Sequence, residues 1–378
     1  MFWRKENPHK GKKVFVGLSG GVDSGVSAAL LKREGYDVVG AFIRIALPGY
    51  PCSAGEDKVD AMRVAAHLRI PFVEIDLSEA YQKRVFDISM REFERGATPN
   101  PDALCNREIK FGLFYEWCME QGADFVATGH YAQAKDGLLF AGKDTNKDQS
   151  YFLWAVPREK LSNVIFPIGH LEKPQVRRLS KKFGLPNFDR PDSQGLCFLG
   201  DVTISDMLHQ ELSLIPGDVL NEAGEVIGRH EGAPTCTLGQ RHGFTLFDQA
   251  PDTKPHYVIA KDAEFNTITV SEHKFPQESV GTEISLADAN WIGTIPEGPL
   301  AARYRYRGAL ISAMVHAEGT TVILKEAQYV PLGQSLVLYQ HERCIGGGII
   351  GSATLLQSWP SSSPKQMAPQ SLSMRRSS

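Results

Sequence analysis

Val14-Phe15-Val16-Gly17-Leu18-Ser19-Gly20-Gly21-Val22-Asp23-Ser24 decides the fold of this chain. The run Val14 to Leu18 is short, apolar and rich in strand formers. Ser19 to Ser24 follow, then a helical stretch from Val26 to Glu34 closed by Gly35. A strand that hands over to a helix through two glycines puts the helix's first amides, which lack partners inside the helix, at the strand's end. The helix dipole favours negative charge there, so the turn is suited to an anion. Gly20 and Gly21 let the backbone approach phosphate oxygens, and Ser19 and Ser24 add hydroxyl donors. No lysine stands in the Walker A position, so this is not the GxxxxGK[ST] loop. A Gly-Gly pair alone reads equally well as a tight turn without a ligand. The whole SGGVDS string in this setting is more specific.

Working outward, Asp37 to Ile45, Pro71 to Ile75 and Asp124 to Thr128 are further strand-like runs. Helical periodicity covers Glu56 to Leu68, Ser78 to Arg95 and Asn106 to Gln121. Such alternation predicts βαβ units, hence an α/β fold with a doubly wound parallel sheet. After about Asp201 the pattern changes to short strands divided by Asn, Gly and Asp turns. From Gly281 to Leu355 it is almost all strand-like, which predicts a compact β-barrel. The expected organisation is a catalytic domain over 11–203, a small α+β or β domain over 204–280 and the barrel over 281–356. A Ser/Pro/Gln-rich tail over 357–378 is expected to be disordered.

The composition, 42% hydrophobic and 22% charged over 378 residues, is that of a globular protein with a sizeable core. No apolar run approaches the roughly 20 residues that span a bilayer, and Met1 to Lys13 lacks an apolar signal region. The expectation is a cytoplasmic protein with no membrane partner. Six cysteines, at 52, 105, 118, 197, 236 and 344, include no CxxC pair, which disfavours a structural zinc site or a disulfide framework. The net charge of −3 neither indicates nor excludes nucleic-acid binding, which depends on a local basic face.

Two cysteine segments carry chemistry. In Thr98-Pro99-Asn100-Pro101-Asp102-Ala103-Leu104-Cys105-Asn106-Arg107-Glu108-Ile109-Lys110-Phe111, two prolines restrict the backbone and a helix is expected to begin near Cys105 or Asn106. A thiol at a helix N-terminus near Arg107 and Lys110 would have a lowered pKa. Asp102 could exchange a proton nearby or simply cap the helix. In Asp192-Ser193-Gln194-Gly195-Leu196-Cys197-Phe198-Leu199-Gly200, Cys197 follows a glycine in an expected loop. Either cysteine, alone, reads as well as a packing residue. Lys173, Arg177 and Lys181 share a helix face, and Arg303, Arg305 and Arg307 alternate along an expected strand; each set suits a phosphate backbone or a solvated face.

The SGGVDS loop resembles that of the PP-loop ATP pyrophosphatases, which split ATP between its α and β phosphates. The two cysteine segments extend the likeness, as do Ala127-Thr128-Gly129-His130-Tyr131-Ala132, Asn146 to Leu153, Gly239-Gln240-Arg241-His242-Gly243, Arg305-Tyr306-Arg307, Gly333-Gln334 and Gly346-Gly347-Gly348. From about Lys12 to Leu355 the chain is similar to the bacterial tRNA 2-thiouridylase family. That resemblance implies ATP-dependent 2-thiolation of the wobble uridine in tRNAs for Lys, Glu and Gln. ATP would be held by Gly17, Leu18, Ser19, Gly20, Gly21, Val22, Asp23, Ser24 and Gly129, with Ile43 lining the adenine and Mg2+ accompanying the nucleotide. No permanently bound metal is implied. The target base would lie at Asn100, Pro101 and Asp102, and tRNA at His130, Lys147, Asp148, Gln149, Arg305, Tyr306 and Gln334. Cys105 would be the nucleophile, Cys197 the persulfide carrier and Asp102 a general acid or base. A transient Cys105–Cys197 disulfide would be reduced each turn, and a persulfide carrier or cysteine desulfurase would supply sulfur. Another PP-loop enzyme, such as a ligase activating a small carboxylate or carbonyl, is the runner-up; it leaves both cysteines and the barrel without a task.

Overall fold

The computed structural model describes residues 9–50, 54–192, 198, 202–248, 254–296, 298–316 and 319–359. The chain is organised around strand Lys13–Gly17, whose three central residues are buried. Asp37–Arg44 pairs with it on one side and Phe125–Ala127 on the other, both parallel. Phe72–Asp76 and Val164–Ile165 complete a five-stranded, all-parallel sheet. The chain builds outward from Lys13–Gly17 in one direction and then returns to build in the other. The point of reversal, between Lys13–Gly17 and Phe125–Ala127, leaves a crevice at the carboxyl ends of the strands, where ligands bind in open α/β sheets.

Helix Val22–Arg33 packs between this sheet and helix Lys173–Lys182. Its small buried residues Ser24, Gly25, Ser27, Ala28 and Ala29 permit that close approach. Two helical expectations need correction. The segment expected as one helix over 78–95 contains a π-helical turn, Gln82–Phe86, between Ser78–Tyr81 and Asp87–Glu94. The helix expected to begin near Cys105 begins instead at Pro101, where proline occupies the first turn without losing a needed donor. Asn100 Oδ1 caps it by accepting from the Ala103 amide at 3.1 Å. It continues through the π-helical turn Asn106–Leu113 into Phe114–Glu120.

A second sheet contains Gly217–Leu220, Val226–His230, Phe244–Leu246, Tyr257–Asp262 and Thr267–Ser271. Beyond it, six strands from Gly281–Trp291 to Arg343–Leu356 form a barrel, closed by antiparallel pairing of its first strand with its last. Strand Leu300–Arg303 stops at Arg303, so Arg305 and Arg307 lie in a turn and not along one strand face.

The barrel is joined to the parallel-sheet unit by backbone pairing. Hairpin Ala132–Lys135 and Leu138–Ala141 extends the barrel's sheet, with Leu139 opposite Cys344 and Phe140 opposite Arg343. One apolar core runs from Phe111, Phe114 and Trp154 to Ile292, Val337, Tyr339 and Cys344. Each such side chain left exposed would forfeit about 1.5–3 kcal/mol, and a few of them equal the whole net stability of a domain, about 5–15 kcal/mol. Ending the chain before 281 is therefore expected to leave the parallel-sheet unit unable to fold. The intact chain should melt with those two units in a single transition by calorimetry; an independently folded fragment over 9–280 would contradict the shared core.

Candidate active site

The carboxyl edge of the parallel sheet gathers the loops of interest. Gly17 to Ser24 leave the central strand there, and Gly20 sits at φ +77°, in the left-handed region. Ser24 Oγ holds the loop together: it accepts from the Ser19 amide at 3.2 Å and donates to the Gly21 carbonyl at 3.1 Å. Among the described residues no side-chain bond caps the following helix, and a helix's first amides, which lack partners inside it, suit an external acceptor. Thr128-Gly129-His130 leave the adjacent strand. A Cβ on Gly129 would stand 2.8 Å from the Ser24 nitrogen and 2.9 Å from the Asp23 carbonyl carbon, so only glycine allows the two backbones to touch.

Asp23 is embedded in a charge network that the residue pattern did not reveal. Its carboxylate accepts from Tyr131 Oη at 2.9 Å and from Lys173 Nζ at 2.8 Å to each oxygen. Lys173 also lies 2.9 Å from Asp192, which Lys147 contacts at 2.7 Å and Arg177 from the same helix as Lys173. Burial pushes the Asp192 carboxyl upward, but hydrogen bonds and charge from Lys147 and Lys173 outweigh it and hold the group well below the usual carboxylate range. Lys173 and Arg177, whose spacing suited either a phosphate backbone or a solvated face, thus point inward; Arg178, Lys181 and Lys182 are the exposed cations of that helix. The signal was available: Val176 and Ser180 are the buried positions, and 173 and 177 complete the same i, i+3, i+4, i+7 face. Arg190 bridges Asp57 and Asp60, and Asn187 Nδ2 donates to the Gly20 carbonyl at 2.6 Å. These residues fasten the phosphate loop from outside.

The Thr98–Cys105 segment reaches the same edge. Its helical run passes from Phe111 beside His130, through Trp117 against Phe15, to the Gln121 carbonyl beside Lys13 Nζ, so it descends from the sheet's carboxyl edge and its N-terminal end lies at that edge. The barrel pins it: the Thr98 amide donates to the Leu332 carbonyl at 2.7 Å, and Asn100 Nδ2 to Ser335 Oγ at 3.2 Å. Asp102 falls in the first turn. Cys105, fully buried, is the fifth helical residue and does not occupy the N-terminus expected for it. Phe111 contacts the His130 ring at 5.9 Å between centroids; Cys105 is six residues earlier in the same helical run. Cys197 and Cys52 lie outside the described residues. Phe198, beside Cys197 in the chain, packs edge-on against Tyr81 at 6.1 Å, with Lys110 Nζ 5.5 Å from its ring. The described cysteines, Cys105, Cys118, Cys236 and Cys344, are all buried.

The residues expected to touch RNA divide. His130 is buried between Phe111 and Phe166, with Nδ1 2.7 Å from Thr128 Oγ1; burial, then the charge of Lys110, pushes its pKa far down, so it is neutral. Asp148 is also buried and accepts from the Gly142 and Ser150 amides at 2.9 and 3.1 Å. Gln149 accepts from the Tyr131 amide at 3.0 Å. Lys147 reaches solvent beside Asp192. Tyr306 rests on Phe152 at 4.6 Å, while Arg305 and Gln334 line a cavity between the central sheet and the barrel. Ile43 is buried in strand Asp37–Arg44. Among the described residues, no cluster of His, Cys, Asp and Glu could hold a metal, and no helix is long and apolar enough to cross a membrane.

Residues 12–201 match the family model described as tRNA methyl transferase HUP domain, and 205–272 the tRNA methyl transferase PRC-barrel domain. Residues 281–350 match the aminomethyltransferase beta-barrel domain. A protein named tRNA-specific 2-thiouridylase MnmA from Geobacillus thermodenitrificans is 40% identical over 357 residues, covering 91% of this chain and 95% of its own. One named tRNA-specific 2-thiouridylase MnmA 2, from Aliarcobacter butzleri, is also 40% identical, covering 90% of this chain and 99% of its own. The namesake from Streptococcus sanguinis is 38% identical, covering 90% and 95%. Identity of that degree over nearly the whole chain shows that it belongs to the tRNA-specific 2-thiouridylase family.

Proposed function

We propose that this chain is an ATP-dependent sulfurtransferase that converts the wobble uridine of tRNA to 2-thiouridine, releasing AMP and pyrophosphate. The observation that carries the reading is the meeting, at one sheet edge, of the uncapped SGGVDS helix start and the Thr98–Cys105 segment, the latter clamped to the barrel. The phosphate loop receives the β and γ phosphates, and Lys173 turns from Asp23 toward them as their charge arrives. Magnesium carried on ATP would then find the Asp23 carboxylate, a hard oxygen ligand.

The uridine C2 oxygen attacks the α-phosphorus and pyrophosphate leaves, which turns a poor leaving group into AMP. The terminal sulfur of a Cys197 persulfide attacks C2 and expels AMP, joining uridine to Cys197 through a disulfide. The Cys105 thiolate attacks the Cys197 sulfur, so 2-thiouridine departs and a Cys105–Cys197 disulfide forms; two electrons from a cellular thiol restore both. Asp102, in the first helical turn, carries the proton. A persulfide carrier or cysteine desulfurase loads Cys197, chemistry that suits a reducing cytoplasm. Lys147, Gln149, Arg305, Tyr306 and Gln334 form the RNA-facing set, and His130 and Asp148 shape the backbone beneath it.

Incubating the protein with tRNA transcript, ATP and a persulfide donor, then digesting the RNA for nucleoside mass analysis, tests the reading. One 2-thiouridine per AMP is expected; pyrophosphate release with unthiolated RNA would favour the ligase alternative. Lys173→Met should lower the rate of pyrophosphate release about 100-fold, the scale of one lost charge-stabilising donor, with KM for tRNA within about twofold. A raised KM with normal turnover would return Lys173 to an RNA role.

A further inference from the structure

A cavity of about 530 Å3 opens between the central sheet and the barrel, and Arg241, His242, Tyr257, Lys274, Arg305 and Gln334 contribute to its lining. That volume falls within the roughly 300–1,000 Å3 usual for small-ligand sites. No carboxylate is among its described lining residues. Arg241 and Lys274 are exposed and, among the described residues, neither has an ion pair.

Arg241 and His242 are nevertheless held firmly. The Gly239 amide donates to the Val258 carbonyl at 2.6 Å and the Val258 amide to the Gln240 carbonyl at 2.9 Å. The Gln240 side chain spans the turn, accepting from the Thr237 amide at 3.1 Å and donating to the His242 carbonyl at 2.6 Å. A tied turn that presents an arginine with no partner among the described residues is a feature of recognition, because ordering such a side chain earns nothing in the free protein. Arg305 donates through one terminal nitrogen to the Leu238 carbonyl, while its buried Nε has no partner.

Gln334 links the cavity to the site already described. Its carbonyl oxygen accepts from Tyr151 Oη and from the Ser335 amide, both at 3.0 Å, which leaves its NH2 free to donate. Ser335, next in the chain, accepts from Asn100. The cavity therefore lies one residue from the clamp on the segment read above as holding the target base.

We propose that this cavity is a second nucleotide subsite, which takes a nucleotide of the substrate RNA close to the uridine being modified. Its phosphate meets Arg241, Lys274 and Arg305, and its base lies against the Tyr257 ring with Gln334 donating to its edge. The assignment rests on the reading that tRNA is the substrate. Three cations without a carboxylate specify an anion, and an aromatic ring beside amide donors specifies a base. A free nucleotide offers the same groups; continuity with the Asn100 clamp favours the RNA.

The test compares the full-length protein with the Arg241→Ala, Lys274→Ala double variant, and separately with Tyr257→Leu. Binding of an anticodon stem-loop RNA is followed by fluorescence anisotropy between about 50 and 200 mM salt. The double variant should bind about tenfold more weakly, with a salt slope smaller by about 0.7, as for one lost single-strand phosphate contact. Tyr257→Leu should weaken binding about tenfold with the slope unchanged, as for one lost stacking contact. At saturating tRNA, both should release pyrophosphate within about twofold of the parent rate. Parent-like affinity and slope in the double variant would overturn the proposal. So would loss of ATP affinity, measured without RNA, alongside unchanged stem-loop binding, which would give the cavity to a free nucleotide. Thiolation by the parent protein distinguishes the failures: if the parent makes 2-thiouridine and the variants bind RNA normally, only the subsite falls. If the parent makes none, the substrate reading falls and takes the subsite with it.

Discussion

Cys197→Ser is expected to abolish thiolation, by at least about a thousandfold, while leaving tRNA affinity and one equivalent of pyrophosphate release intact. A serine hydroxyl cannot carry a persulfide, so the adenylylated uridine forms but meets no sulfur. Adenylylation uses the phosphate loop, whose internal bonds from Ser24 to Ser19 and Gly21 do not involve residue 197. Cys105→Ser should fail differently. The persulfide still attacks, AMP leaves, and the chain stops at the Cys197–uridine disulfide, visible as a protein–tRNA adduct released by a thiol reductant. Retained turnover in Cys197→Ser, or the absence of an adduct in Cys105→Ser, would contradict the division of labour between the two thiols.

Gly129→Ala should be nearly as damaging, by a different route. The added Cβ would lie 2.8 Å from the Ser24 nitrogen, closer than real Cβ atoms approach, and its neighbour is backbone that cannot swing aside. Overpacking of this kind costs about 1–3 kcal/mol, and here the strain falls on the amides meant for phosphate. Moving preorganised donors by a few tenths of an ångström removes much of their value in the transition state. Pyrophosphate release should drop at least about 100-fold, while stem-loop RNA binding stays within about twofold. A normal ATP half-reaction in this variant would show that the Gly129 contact does not set the loop's shape.

The parallel sheet was legible because strands such as Lys13–Gly17 and Asp37–Arg44 are buried on both faces and read as continuous apolar runs. Val164–Ile165 was not, since two residues carry no period. The Ala132–Ala141 hairpin escaped notice because its partner is the distant barrel strand, and only the fold brings Leu139 to Cys344. In the Thr98–Phe111 stretch the prolines pulled the reading toward extended chain. Asn100 as cap and Pro101 in the first turn are a helix start, and that pairing was present in the letters. The phosphate loop was readable because its chemistry is local in sequence. Lys173 and Tyr131 were missed as its neighbours because they converge on Asp23 from 108 or more residues away, and Asp192 joins them only through Lys173. The same holds for the Arg241 and Lys274 cavity, whose walls come from two separate sheets.

The most direct measurement is peptide mass mapping under non-reducing conditions after one turnover with persulfide-loaded protein, ATP and tRNA, without added reductant. A disulfide-linked peptide pair containing residues 105 and 197, in equal amount to the 2-thiouridine formed, is the predicted result. Thiolated tRNA accompanied by both positions as free thiols would contradict it.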